Sequence, residues 1–310
     1  MTEQAVSRPR AWLMAARPQT LPAAAAPVVV GTAVAAAEGV FAPLPALAAL
    51  VGAGLIQVGT NFANDYFDAV RGADSADREG FTRVTAGGIL APEAVWRATL
   101  VTFGLALLVG ATLVYVGGLP ILVVGLASVA SGLAYTGGPY PFGYYGLGDP
   151  FVFVFFGLVA VAGTTYVQAA AHVPGVLHTW VPAGTVPELA VLAGVPMGAL
   201  ATAILVVNNV RDIETDAAAG KTTLAVVLGY RWSRVEYVAL LAAAYGVPVW
   251  LWVGGRDLAV LAPLLTAPYA ALVVHTVLTE QGGDALNRAL ERTGRLLAGF
   301  AALFAAGLLA

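Results

Sequence analysis

Two stretches of this chain place oxygen-bearing side chains one helical turn apart. The first is "NFANDYFDAV", with Asn61, Asn64, Asp65 and Asp68; the second is "NNVRDIETDAAAGKTT", with Asn208, Asp212 and Asp216. Asn61 and Asp65 are four apart, and so are Asn208 and Asp212, and Asp212 and Asp216. On a helix each set shares one face. Carboxylates crowded beside an apolar bundle repel one another and resist ionisation. A hard cation that joins them reverses the balance. Mg²⁺ typically binds through one or two carboxylates plus substrate phosphates. Two such faces opposed predict two Mg²⁺ ions about one diphosphate.

Basic residues follow both clusters: Arg71, Arg78 and Arg83 after the first, Lys221 after the second. Guanidinium and ammonium groups hold diphosphate oxygens directly. Lys221 and Arg83 are the stronger candidates, because the loop charges of a membrane protein also explain Arg71 and Arg78. "GKTT" at 220–223 is not a nucleotide loop: Thr215 stands where its first glycine belongs, and no strand precedes it. His172, His178 and His275 have no metal-ligand spacing. The absence of cysteine excludes disulfides, thiolate metal sites and a cysteine nucleophile.

These residues must be positioned by membrane helices. Only 11% of the 310 residues are charged, 59% are hydrophobic, and the mean hydropathy is +0.82. A soluble domain carries about 25% charged residues. Nine apolar spans are expected, at 21–37, 43–64, 93–116, 119–135, 151–171, 187–209, 235–253, 258–278 and 295–309, many near the ~20 residues that cross a bilayer. The stretch 21–37 reads as the first span rather than a signal peptide. With the N-terminus cytoplasmic, every Lys and Arg except Arg256 falls on that side, the bias expected of cytoplasmic loops. The C-terminus then lies on the outer side. Polar loops are expected at 65–92 and 210–234, with a Gly- and Tyr-rich loop at 136–150. No boundary divides the chain, so it reads as one all-α domain, 1–310, whose partner is the lipid bilayer and not nucleic acid.

The motifs resemble the UbiA superfamily of intramembrane prenyltransferases, and within it the 1,4-dihydroxy-2-naphthoate polyprenyltransferases. Five segments carry the resemblance in order: "ARPQTLPAA"; "NDYFDAVRGAD" with "RVTAGG"; "YTGGPYPFGYYGLGDPFVFVFFG"; "NNVRDIETDAAAGKTTLAVVLG"; and "LNRALERTGRLL". Gly72 replaces the third acid of the superfamily pattern, with Asp74 as the nearest substitute, and Phe81 stands where proline is usual. The resemblance implies a bundle of nine transmembrane helices around a central cavity, with the active site at its cytoplasmic end. It implies transfer of a polyprenyl group from its diphosphate to dihydroxynaphthoate, with loss of diphosphate and CO₂. Asp65, Asp68, Asp212, Asp216 and Lys221 are the expected catalytic set, with Asn61, Asn64, Asp74 and Asn208 as further metal ligands. Tyr135, Tyr140, Tyr144, Tyr145 and Phe151 are candidates to face the allylic cation. Arg17 is the candidate for the acceptor's carboxylate, and Asp149 for the cap or proton handling. The rivals are another aromatic acceptor, such as 4-hydroxybenzoate or homogentisate, and a cation-coupled transporter. The second fits poorly, since transporters set acids near the bilayer midplane.

Overall fold

The computed structural model describes residues 6–72 and 83–310. Asp74, Asp77, Arg78, Glu79 and Phe81 lie outside the described residues. All regular structure among the described residues is helical: α1 (Arg8–Ala16), α2 (Leu21–Ala37), α3 (Pro43–Val70), α4 (Pro92–Ala134), α5 (Gly148–Ala170), α6 (Glu188–Arg211), α7 (Ile213–Ala218), α8 (Leu224–Val253), α9 (Leu258–Thr279) and α10 (Gly283–Leu308). Among the described residues seven helical stretches, α1 and α2 together making one, are long and apolar enough to cross a membrane, so this is a multi-pass membrane protein.

Each expected span falls on one of these helices. Helix α4 has 43 residues, a rise of about 65 Å and twice the thickness of a bilayer core. It breaks at Gly118, whose φ of 69° leaves the helical region, just before Pro120. The expected spans 93–116 and 119–135 are its two arms. The last span, 295–309, is the apolar end of α10, whose first half carries Asn287, Arg288, Glu291, Arg292 and Arg295.

Two expected loops are helical in part. Helix α3 runs on to Val70, and α7 with the start of α8 fills most of 210–234. The reason is burial. Asp65 and Asp68 are 1% and 2% exposed, so the acidic face continues an enclosed helix instead of leaving for solvent.

Helix α6 is the axis of the bundle: 72% of its span is buried, against 50% or less in the others. It packs on α8, α10 and α5. Met197, Leu200, Tyr237, Leu296, Phe300 and Phe304 form the centre of that core. The approach of α5 is set by glycine. A Cβ on Gly157 would lie 2.5 Å from Gly198 Cα, so small residues let the two backbones meet, as membrane helix pairs often do. Gly157 sits in a π-helical stretch, Phe153–Val159. This wedge holds the end of α6, with the second acidic motif, against the aromatic start of α5. At the far end of the bundle Arg256 pairs with Glu38 at 3.5 Å, which puts the ends of α2 and α8 on one side.

Candidate active site

A polar cavity of about 690 Å³ lies between α3, α6 and α10. Its wall brings together Arg17, Asn61, Asn64, Asp68, Arg83, Tyr135, Tyr144, Asn208, Asp212, Asp216 and Lys221. Eleven of the expected site residues therefore share one wall, although about 150 residues separate the two motifs in the chain.

Lys221 joins them. Its Nζ lies 3.7 Å from Asp68 on α3 and 3.8 Å from Asp216 on α7, and 4.5 Å from the ring centre of Tyr144. Asp68 also accepts hydrogen bonds from Arg83 at 2.8 Å and from the Tyr144 hydroxyl. The loop that carries Tyr144 is fixed by Thr222, whose N–H and hydroxyl donate to the Tyr144 carbonyl at 2.8 and 2.9 Å. A buried carboxylate is tolerated when paired and hydrogen-bonded, and Asp68 has three such partners.

Asp65 is set behind this wall. One of its oxygens accepts the backbone N–H (3.1 Å) and the hydroxyl of Thr85, and the other lies 4.0 Å from Arg17. Thr85 belongs to "RVTAGG", which explains that segment: Arg83 reaches Asp68 while Thr85 holds Asp65. Arg17 itself adopts φ 50° between α1 and the short turn Pro18–Thr20, a left-handed conformation that costs roughly 1–2 kcal/mol. Asn61 stabilises that turn. Its amide donates to the Ala16 carbonyl and to the Thr20 hydroxyl, both at 2.9 Å. Asn61 thus holds the backbone that aims Arg17, and Asn64 accepts from Thr136 at 2.8 Å.

At the second motif Asp212 receives a two-pronged ion pair from Arg211, Nε and Nη each at 2.7 Å. The same guanidinium donates to Asn208 at 2.9 Å and to Asn287 at 2.7 Å. Arg211 and Asn287 were not singled out in the sequence. Arg211 was absorbed into the charge bias of cytoplasmic loops, and Asn287 sat unread inside "LNRALERTGRLL". Thr85 and Thr136 were missed for want of any local signal.

Four candidates lie elsewhere. Tyr140 is 78% exposed and makes a tilted ring contact with Tyr145, itself exposed, and neither lines a cavity. Arg71 donates to the Gly138 carbonyl, and its guanidinium lies 5.6 Å from the ring centre of Tyr144. Asp149 is buried but lines neither cavity, with one oxygen lacking a hydrogen-bond partner.

A second cavity, of about 640 Å³ and almost wholly apolar, runs between α3, both arms of α4, and α5. It meets the polar one at Gln57, Thr60, Tyr135, Val152 and Phe156, which line both. Rings crowd that junction. Tyr135 meets Phe142 edge to face at 5.5 Å, and Phe142 stacks on Phe151 at 4.1 Å. Phe142, Phe155 and Phe156 are aromatic walls of this cavity that are not among the sequence candidates.

A charged head and a long apolar tail on one molecule would fit this pair of cavities. The sequence profile of the UbiA prenyltransferase family matches residues 24–306. This chain belongs to the UbiA prenyltransferase family. Among its relatives, the 1,4-dihydroxy-2-naphthoate octaprenyltransferase of Escherichia coli K12 is 39% identical, over 94% of this chain and 93% of that protein. The enzyme of the same name from Mycobacterium tuberculosis H37Rv is 40% identical, over 91% of each. Two solved UbiA homologues share the fold. One, from Archaeoglobus fulgidus bound to DMAPP and Mg²⁺, superposes with TM-score 0.61 at 16% identity, covering 94% of this chain and 98% of that one. The other, an apo form from Aeropyrum pernix, gives 0.63 at 14% identity, covering 92% and 96%. As a UbiA prenyltransferase the chain has a clear division of labour: ionic groups at one cavity, hydrocarbon and rings at the other.

Among the described residues no three Asp, Glu or His side chains close on one point. Asp68, Asp212 and Asp216 line one cavity, each already beside a cation. That suits Mg²⁺ arriving with a diphosphate, since this ion takes a few carboxylates and completes its shell from phosphates and water.

Proposed function

We propose that this chain transfers a polyprenyl group from polyprenyl diphosphate to 1,4-dihydroxy-2-naphthoate, giving demethylmenaquinol, diphosphate and CO₂. The observation that carries this reading is the joining of a polar cavity, bearing both acidic motifs, to an apolar one through an aromatic junction at Tyr135. The acceptor is inferred from the names of relatives at 39 and 40% identity.

The diphosphate head would occupy the polar cavity, where Asp68, Asp212 and Asp216 would hold Mg²⁺, two ions on this reading, with Asp65, Asn64 and Asn208 supporting. The metal would supply charge neutralisation of the leaving diphosphate. Lys221 and Arg83 add fixed positive charge at the same place, and such preorganised electrostatics is commonly the largest catalytic contribution. As the allylic C–O bond breaks, its electron pair goes to diphosphate, and the positive carbon sits among Tyr135, Phe142 and Phe151. The electron-rich ring of the acceptor attacks through the carbon that bears the carboxylate. The new C–C bond forms, the bond to the carboxylate breaks, CO₂ leaves, and its electron pair restores aromaticity. Arg17 holds the acceptor's carboxylate before that step. The surrounding apolar wall keeps water from the cation. Nine passes, with the polar cavity and the N-terminus on the cytoplasmic side of the cell membrane, complete the reading.

An acceptor panel tests it. Purified protein with octaprenyl diphosphate and Mg²⁺ is expected to give demethylmenaquinol, by product mass, from dihydroxynaphthoate alone. 4-Hydroxybenzoate and homogentisate are expected to give none, and EDTA is expected to abolish the product. Product from either other acceptor would reassign the substrate, and turnover in EDTA would refute the metal.

A further inference from the structure

The loop that joins α5 to α6 is pinned to the break in α4. The Leu119 N–H donates to the His178 carbonyl at 2.7 Å, and the Leu177 N–H donates to the Tyr115 carbonyl at 3.1 Å. The Tyr166 hydroxyl secures the same turn through the Gly117 carbonyl at 2.6 Å. Gly118 admits no side chain, because a Cβ there would overlap the His178 backbone. The two hydrogen bonds hold Leu177 at φ 54°, an uncommon conformation for a residue with a bulky side chain. This strained leucine lines the apolar cavity, together with Val114, Tyr115 and Ile121, at the end remote from Tyr135. Val176, Trp180 and Val181 on the same loop are exposed, as suits a segment lying at the membrane–water interface.

We propose that Leu177, latched to the α4 break, is the floor of the tail cavity and sets how many isoprene units the protein contacts. This rests on the prenyl-diphosphate reading above. From Leu119 to Tyr135 the helix rises about 24 Å. An extended carbon chain advances roughly 1.2 Å per bond, so a geranylgeranyl tail of roughly 20 Å from the aromatic junction ends within side-chain contact of the floor. An octaprenyl tail is about twice as long by the same measure. Its distal half turns at Leu177 and leaves sideways, past Leu122 and Leu126, which line the cavity and are also exposed. Lipid is as apolar as the cavity wall, so units beyond the floor gain little.

The test is donor binding in nanodiscs, using non-reactive S-thiolodiphosphates of geranyl, geranylgeranyl and octaprenyl alcohols. Each affinity is expressed as variant over wild type, which cancels membrane partition. L177W overfills the floor and is expected to weaken the geranylgeranyl and octaprenyl compounds at least about tenfold more than geranyl. L177A removes a contact and is expected to weaken the two long compounds about threefold more than geranyl. The wild-type side chain is 57% exposed, so this truncation keeps the comparison open if the tryptophan variant misfolds. An equal factor for all donors overturns the proposal. Because the readout is binding, a failure of transfer to dihydroxynaphthoate would count against the proposed reaction alone.

Discussion

The two acidic motifs look alike in sequence and are neutralised in different ways. On α3, Asp65 and Asp68 take their partners from far along the chain: Thr85, Arg83, Tyr144 and Lys221. At the end of α6, Asp212 takes a two-pronged partner from the adjacent residue, and Asn208 and Asn287 orient that arginine. The first site is assembled by tertiary structure, and the second is largely built in its own helix end. Lys221 belongs to both. It makes their charges one system and not two copies.

Replacing an acid in each motif should separate catalysis from assembly. D68A and D212A are each expected to lower kcat/KM by roughly 10³ or more, the scale of a lost electrostatic contact in a dry site. Their stabilities should differ. D68A leaves Arg83 and Lys221 beside a missing charge, which costs roughly 3–5 kcal/mol for a buried pair. D212A leaves Arg211 still hydrogen-bonded to Asn208 and Asn287, so its loss should be smaller. Thermal unfolding checks this, and equal losses would end the distinction between the motifs.

A smaller effect is expected from R211K. Lysine cannot reproduce the fork that grips Asp212 and both asparagines. About 10²-fold loss in turnover is expected, with a raised Mg²⁺ requirement that added metal partly restores. A variant with unchanged Mg²⁺ dependence would make Arg211 a packing residue.

The smallest and most selective effect belongs to Arg17. R17A should raise the KM for dihydroxynaphthoate by about tenfold, the loss of one charge-assisted contact, and move the KM for the prenyl diphosphate much less. If only the diphosphate KM moves, Arg17 serves the donor through its proximity to Asp65.

Much of the site was legible because its residues are expensive to bury. A membrane helix carries Asn and Asp only for a reason, so Asn61 to Asp68 and Asn208 to Asp216 stood out against an apolar background. Arg211 was hidden by a general rule: basic residues at cytoplasmic helix ends need no ligand to explain them. Tyr140 and Tyr144, four apart and of one type, could not be told apart by pattern. The fold sends one to the surface and the other to Asp68 and Lys221. The polar tract after span two read as loop, because hydropathy falls there whether the helix ends or turns its acids inward.

By itself the sequence determined that the chain lies in the bilayer, which stretches are apolar enough to enter it, which residues carry its charge, and what family it resembles. These follow from composition and short-range periodicity, since transfer cost is counted residue by residue along the chain. Only the tertiary structure decided that Lys221 bridges the two motifs, that Asn61 braces the turn of Arg17, and that a loop pinned at Gly118 closes the tail cavity. Each of these joins residues tens to more than a hundred positions apart. Such contacts are fixed by how helices pack in three dimensions, which no local pattern in the chain encodes.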